Sequence, residues 1–237
     1  MIKLTDLTVK FGGVVALDHI SAEFSAGISG IIGPNGAGKT TTMNAVSGFL
    51  PYGGSISYDG FSIDPLNPFK RTRWGLRRSF QREQIADDLT VTGNLLAILD
   101  NLPGSRASKL EQIDRAVEAM ELSKLVNKKA QTLNTYERRL TDLARCVIGD
   151  PKIVMLDEPG GGLQKDETEH LGDLILKIPG LTNAITLVID HDVDLITRIC
   201  EQTLVLDFGK RIAFGKTQEV LADPKVQAAY LGVEEVA

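Results

Sequence analysis

Cysteine is scarce in this chain: of 237 residues only Cys146 and Cys200 are cysteine, far apart and without CxxC or Cys/His spacing. That excludes a disulfide framework and a zinc site, and it fits a reducing compartment. Long apolar runs are missing as well. The longest stretch without a charge, residues 40–58, is filled with Gly, Ser, Thr and Pro51, and Lys3 and Asp6 interrupt the amino-terminal region. No segment therefore reads as a membrane span or a leader, and a soluble chain is expected. Positive charge is not in excess: 26 basic against 31 acidic side chains leave −5, which gives no electrostatic reason to expect nucleic acid as a partner. The one basic cluster, Lys70-Arg71-Thr72-Arg73 with Arg77-Arg78, reads as a solvated or partner-facing surface. Internal repeats and low-complexity tracts are absent.

What is present is 43% hydrophobic and 24% charged, ordinary for one large domain or a core carrying a smaller insertion. Residues 2–9 alternate apolar and polar, as a half-buried strand does. Short apolar runs at Ile28–Ile32, 153–156, Ile185–Ile189 and 203–206 predict buried strands. Between them, Leu110, Ile113, Val117 and Met120, then Leu171, Leu174, Ile175 and Ile178, then Val193, Ile196 and Cys200 follow helical spacing. Strands alternating with helices predict an α/β fold with a mostly parallel sheet. Residues from about 83 to 134 are mostly helical, broken at Leu102-Pro103-Gly104-Ser105, and read as a helical subdomain (83–134) nested in a core made of 1–82 and 135–237.

Gly33-Pro34-Asn35-Gly36-Ala37-Gly38-Lys39-Thr40 satisfies GxxxxGK[ST] between an apolar strand and a helical stretch, the context the motif requires. A chance match in a chain this long is on the order of a per cent. Glycines let consecutive N–H groups converge on phosphate oxygens, the helix start adds its positive end, Lys39 reaches the terminal phosphates and Thr40 ligates Mg²⁺. The implied ligand is a nucleoside triphosphate. The apolar run 153–156 then ends in Asp157-Glu158, an acid for Mg²⁺ followed by one free to polarise water. His191, in Asp190-His191-Asp192 after another strand, is a candidate hydrogen-bond donor to the γ-phosphate. His19 and His170 are assigned nothing.

In this order the cradle, Asp157-Glu158 and His191, together with Phe11 and Gln81, resemble the ATP-binding subunit of ABC transporters over nearly the whole chain. The resemblance implies a P-loop NTPase core with a mostly parallel sheet, an amino-terminal antiparallel β portion and the nested helical subdomain. It places Phe11 on adenine, Thr41 beside the phosphates, and Gln81 between Mg²⁺, water and the membrane partner. Phe11-Gly12-Gly13-Val14-Val15-Ala16-Leu17, Gly75-Leu76-Arg77-Arg78-Ser79-Phe80-Gln81 and the ending Ala229-Tyr230-Leu231-Gly232 are similar to the ATPases of branched-chain amino acid and urea or amide importers. Lipopolysaccharide-export ATPases look similar but less so around Gln81. The implied activity is Mg-dependent ATP hydrolysis driving import. Transmembrane permease subunits, and through them a solute-binding protein, are the implied partners, with the chain peripheral on the inner face of the membrane. A regulatory subunit with weak hydrolysis is the alternative. A soluble ABC ATPase of DNA repair or translation would show two cassettes, a long coiled coil or a basic face.

One motif departs from that family. Counting back from Leu143-Ala144-Arg145, the signature falls on Leu133-Asn134-Thr135-Tyr136-Glu137, where only Leu133 matches. Tyr136 is expected to add bulk where glycine lets backbone approach, with Asn134 recovering one bond. Shifting Arg138-Arg139-Leu140 onto the family's Arg-Arg-Leu needs a one-residue insertion and restores no glycine pair. The expectation is pairing with a different ATPase subunit whose signature is intact. Gln164 and Gly93 are smaller departures.

Overall fold

A computed structural model describes residues 1–25 and 27–231. In chain order the elements are β1 (Ile2–Phe11), β2 (Val14–Phe24), β3 (Ile28–Ile32), α1 (Lys39–Ser47), β4 (Gly53–Tyr58), β5 (Phe61–Ser62), α2 (Pro68–Trp74), β6 (Leu76–Arg78), α3 (Val91–Leu99), α4 (Arg106–Ala119), α5 (Thr135–Cys146), β7 (Ile153–Asp157), α6 (Lys165–Thr182), β8 (Ile185–Ile189), α7 (Val193–Ile199), β9 (Gln202–Asp207) and β10 (Lys210–Lys216). They form a four-stranded sheet, order β2-β1-β4-β5, with antiparallel pairs, and a six-stranded sheet, order β10-β9-β3-β8-β7-β6. In the larger sheet every pair is parallel except β10 with β9. This is the α/β architecture the sequence predicts. The helical break at residues 102–105 lies between α3 and α4.

Period-two side-chain alternation divides the larger sheet between two cores. Val154 and Leu156 of β7, Val188 of β8 and Val205 of β9 face one core, with the buried sides of α3 to α7. Ile153, Met155, Ile185, Leu187, Ile189, Leu204 and Leu206 face the other, with β1, β2 and α1. The central strands are thus buried on both faces, which is why they read as unbroken apolar runs. Helix α1 supplies Met43, Ala45 and Val46 to the second core, so the helix that follows the glycine-rich loop is fastened to both sheets. Among the described residues no helix is long and apolar enough to cross a membrane.

The basic cluster corrects the sequence reading. Lys70 and Arg73 are exposed, but Arg71 and Arg77 are buried and the Arg78 side chain is only 4% exposed. Arg71 donates to the carbonyls of Leu66, Ala45 and Val46 and to the Tyr52 hydroxyl. Arg77 donates to the carbonyls of Ile148, Thr72 and Gly149. A guanidinium can satisfy several carbonyls at once through its planar fork, so these charges neutralise backbone dipoles inside the protein and do not form a surface stripe. Arg71 in particular takes carbonyls near the carboxyl end of α1. Replacing Arg71 by Met is expected to remove about 3 kcal/mol of stability, the scale of two lost charge-assisted bonds. A urea titration checks this as a lower midpoint at unchanged slope.

Candidate nucleotide site

Parallel pairing brings the carboxyl ends of three strands level: Ile31 of β3 stands opposite Ile189 of β8, and Ile189 opposite Asp157 of β7. The loops leaving β3, β7 and β8 therefore open at one edge of the sheet, where β6 also ends beside β7. Ligands of open parallel sheets bind at such an edge.

The loop 33–38 is shaped by its glycines. Gly33 has φ 150, and a Cβ there would stand 2.0 Å from the Leu206 carbonyl oxygen. Gly38 has φ 105 and lies so close to Leu17 that a Cβ would come within 2.7 Å of its Cδ2. Backbone pressed against β9 and β2 is thereby turned into the start of α1, whose first N–H groups have no intrahelical partner. Ala37 N–H closes a turn onto the Pro34 carbonyl. Lys39 is 8% exposed, and its Nζ donates to the carbonyls of Gly33 (2.7 Å) and Pro34 (3.0 Å). Burial pulls its ammonium below the ordinary value, against opposing attraction from Glu158 and Asp157. Thr40 is exposed, Thr41 is half-buried, and Thr42 is turned inward onto the Gly38 carbonyl.

Asp157 is 4% exposed, and its Oδ2 accepts from Arg78 at 2.8 Å. Glu158 follows at φ 50, a left-handed conformation rare for a residue with a side chain. Its N–H donates to the Ile189 carbonyl, and its Oε2 accepts from Gln81 Nε2 at 2.8 Å. Asp190, buried, accepts from the N–H groups of Gly160 and Asp192, tying the loop after β8 to the loop after Glu158. His191 beside it is largely exposed, with Nδ1 3.7 Å from Asp190 Oδ1. Gly160, Gly161, Gly162, Lys165, Asp190 and His191 help to line a cleft of about 850 Å³ between the loops after β7 and β8 and the helices α6 and α7. Phe11 is half exposed at the end of β1 rather than buried as a core aromatic. Gln164 precedes α6, and its N–H donates to Glu167.

Donor chemistry decides what a cation would find here. Among the described residues no three His, Cys, Asp or Glu gather into a metal cluster. Thr40 and Asp157 offer hard oxygens, the partial set that suits Mg²⁺, which keeps waters and takes phosphate oxygens for the rest of its shell.

At the signature position the side chains fold differently from expectation. Tyr136 turns onto α6, where its hydroxyl lies 2.6 Å from His170 Nδ1, and His170 Nε2 lies 3.2 Å from Glu121. Burial, with Glu121 and Glu167 nearby, pushes the Tyr136 phenol up to about 12. Asn134 caps α5 by accepting from the Glu137 N–H, while Glu137 accepts from the Asn134 N–H. Asn134 thus serves its own helix, and a carboxylate stands at the start of α5.

Three residues went unassigned in the sequence. Arg78 was visible in a basic cluster and in the segment leading to Gln81, with no role of its own. Arg139 of α5, 4% exposed, pairs with Glu83 at 3.2 Å beside the backbone of residues 80, 81 and 161. His170 was a lone histidine. Their partners are distant in sequence, so spacing carried no signal.

Residues 17–161 match the family model described as ABC transporter, and residues 210–236 match the model of the branched-chain amino acid ATP-binding cassette transporter. Of the ending quoted above, Gly232 lies outside the described residues. The chain is 34% identical to the high-affinity branched-chain amino acid transport ATP-binding protein BraF of Pseudomonas aeruginosa and 33% identical to LivG of Escherichia coli K12, covering 98% of each chain in both cases. A solved ATP-binding cassette of an ABC transporter in its ADP conformation superposes with a TM-score of 0.86 at 27% identity, over 98% of each chain.

Asp142 of α5 makes a neighbouring part of this geometry measurable through pH. It lines a small cavity with Phe49, Phe80, Ile98, Arg78 and Arg145. Its Oδ1 takes Arg145, while Oδ2 is buried without a partner. Burial pushes the carboxyl up to about 6, against Arg145 and Arg139. A raised carboxyl pKa means that the folded state holds the proton more tightly, so this group lowers stability as pH rises from about 4 to about 6. Asp142→Asn removes that dependence. Its stability relative to the parent is expected to improve by about 2–3 kcal/mol between pH 4 and pH 7, read from urea midpoints at both pH values.

Proposed function

Since the chain belongs to the ABC transporter family as an ATP-binding subunit, we propose that it hydrolyses ATP with Mg²⁺ to power import of branched-chain amino acids or a related amide or urea. The observation that carries the reading is the shared sheet edge: Asp157 and Glu158 both attract the Lys39 ammonium, and Gln81 is bonded to Glu158. The match of residues 210–236 to the branched-chain cassette model favours this substrate class over lipopolysaccharide export.

In this proposal the backbone of residues 33–38 and the start of α1, with Lys39 and Thr41, hold the phosphates, and Phe11 stacks on adenine. Thr40 and Asp157 hold Mg²⁺, with Gln81 nearby. The ion, when bound, neutralises charge on the phosphate oxygens. Glu158 accepts the proton of the attacking water. Gln81 steadies Glu158, and His191 donates to the γ-phosphate. Residues 1–82 and 135–237 act as the nucleotide-binding core and 83–134 as the helical subdomain facing the permease. The chain works at the inner face of the membrane through permease subunits, which meet a solute-binding protein outside.

Pairing with a different cassette is supported by the start of α5. A signature helix offers its N–H groups to the partner's phosphate. Here Asn134 takes one of those groups, and the Glu137 carboxylate sits where an anion would approach. In a pair of identical chains both ATP molecules would meet that carboxylate. With an intact signature on the partner, the ATP in this chain's cradle is completed and the other site is weak. The same feature supports, as a second reading, a subunit that binds ATP and regulates while its partner hydrolyses.

Lys39→Ala is expected to weaken magnesium-ATP binding at least tenfold, since a hydrogen bond to a charged group contributes about 1.5–3 kcal/mol; calorimetry measures it. Glu158→Gln is expected to lower kcat by about 10²–10⁴ with ATP binding retained. In sedimentation with ATP, that variant should stay monomeric alone and dimerise with a second cassette. Brisk hydrolysis by a pure homodimer would overturn the pairing.

A further inference from the structure

We propose that Arg78 is a positioning residue that holds Asp157 in register with the phosphate cradle and links it to the aromatic wall of the neighbouring cavity. The proposal rests on the reading that Asp157 serves Mg²⁺. Arg78 ends β6, and one guanidinium joins three parts of the site. It donates to Asp157 Oδ2 at 2.8 Å. It also donates to Asn44 Oδ1 at 2.7 Å and Ser47 Oγ at 3.1 Å, both on α1, the helix that begins with Lys39. Its Cζ lies over the Phe80 ring, 4.7 Å from the centroid.

Phe80 precedes Gln81, which holds Glu158, and it packs against Phe49 with ring centroids 6.2 Å apart. The residue between Arg78 and Phe80 adds a second hold, because Ser79 Oγ accepts from the Asp157 N–H. The acid is therefore fixed from its side chain and from its backbone by consecutive residues of one short segment.

Three physical points give this arrangement a purpose beyond packing. A carboxylate buried without a counter-charge is unfavourable, and Arg78 is its ion-pair partner at 2.8 Å. The contact uses one oxygen, Oδ2, and the carboxylate's other oxygen would be the one to serve a cation. The planar fork spans Asp157, Asn44 and Ser47 together, which the single ammonium of lysine does not reproduce. Groups that orient a metal-binding carboxylate in this way govern metal affinity. Because Arg78 is clasped between Asp157 and Phe80, a change at the cavity wall moves the acid as well.

The test titrates Mn²⁺ into the ADP-loaded protein by electron paramagnetic resonance, with melting temperatures alongside. Asp157→Asn should weaken Mn²⁺ binding, and Arg78→Gln should raise the Mn²⁺ dissociation constant about tenfold or more. Arg78→Lys should recover only part of it, and Phe80→Leu should shift it in the same direction by about threefold. ADP affinity in EDTA should not change. An Arg78→Gln protein that melts earlier yet binds Mn²⁺ as the parent does would overturn the proposal while the role of Asp157 stands. If Arg78→Gln does not fold, parental Mn²⁺ binding by Arg78→Lys overturns it equally. Unchanged binding by Asp157→Asn would remove the underlying reading, and the proposal with it.

Discussion

Parallel pairing of β3, β8 and β7 sets Ile31, Ile189 and Asp157 at one level, and the loops that carry the proposed nucleotide site leave the sheet from that level. The strands are short and buried on both faces, so their register is fixed by the packing of alternate residues into two separate cores. A slip of one residue would exchange those faces. The same slip would carry Asp157 away from Ser79 and Arg78 and take the Glu158 N–H off the Ile189 carbonyl. The geometry of the proposed site and the core packing are thus specified by one set of side chains.

The charges that this edge buries are given partners. Lys39 uses carbonyls of its own loop and lies within the field of Asp157 and Glu158, Arg78 meets Asp157, and Arg139 meets Glu83. An unpartnered ion at such depth would be strongly unfavourable. Pairing lets charged groups stand close together without spoiling the fold, and it leaves each of them sensitive to the next.

How much of this was legible in the sequence depended on distance along the chain. The phosphate loop is contiguous, so its glycines, Lys39 and Thr40 were readable as a unit, and the apolar strands announced themselves by composition. Arg71, Arg77 and Arg78 were misread as surface because a count of charges does not reveal the buried partners, carbonyls for Arg71 and Arg77 and a carboxylate for Arg78. Tyr136 was expected to project where glycine usually lies; its partner His170 belongs to another helix, so the turn onto α6 had no local sign. Asn134 and Glu137 do carry a local sign, the spacing of a capping box.

The backbone at Glu158 carries a longer-term tension. A left-handed φ is comfortable for glycine or asparagine, and a longer side chain there stores about 1–3 kcal/mol of strain. Glycine at this bend would release that strain. If Glu158 is the base proposed above, the same exchange would remove the chemistry, so endurance and turnover would pull the residue in opposite directions.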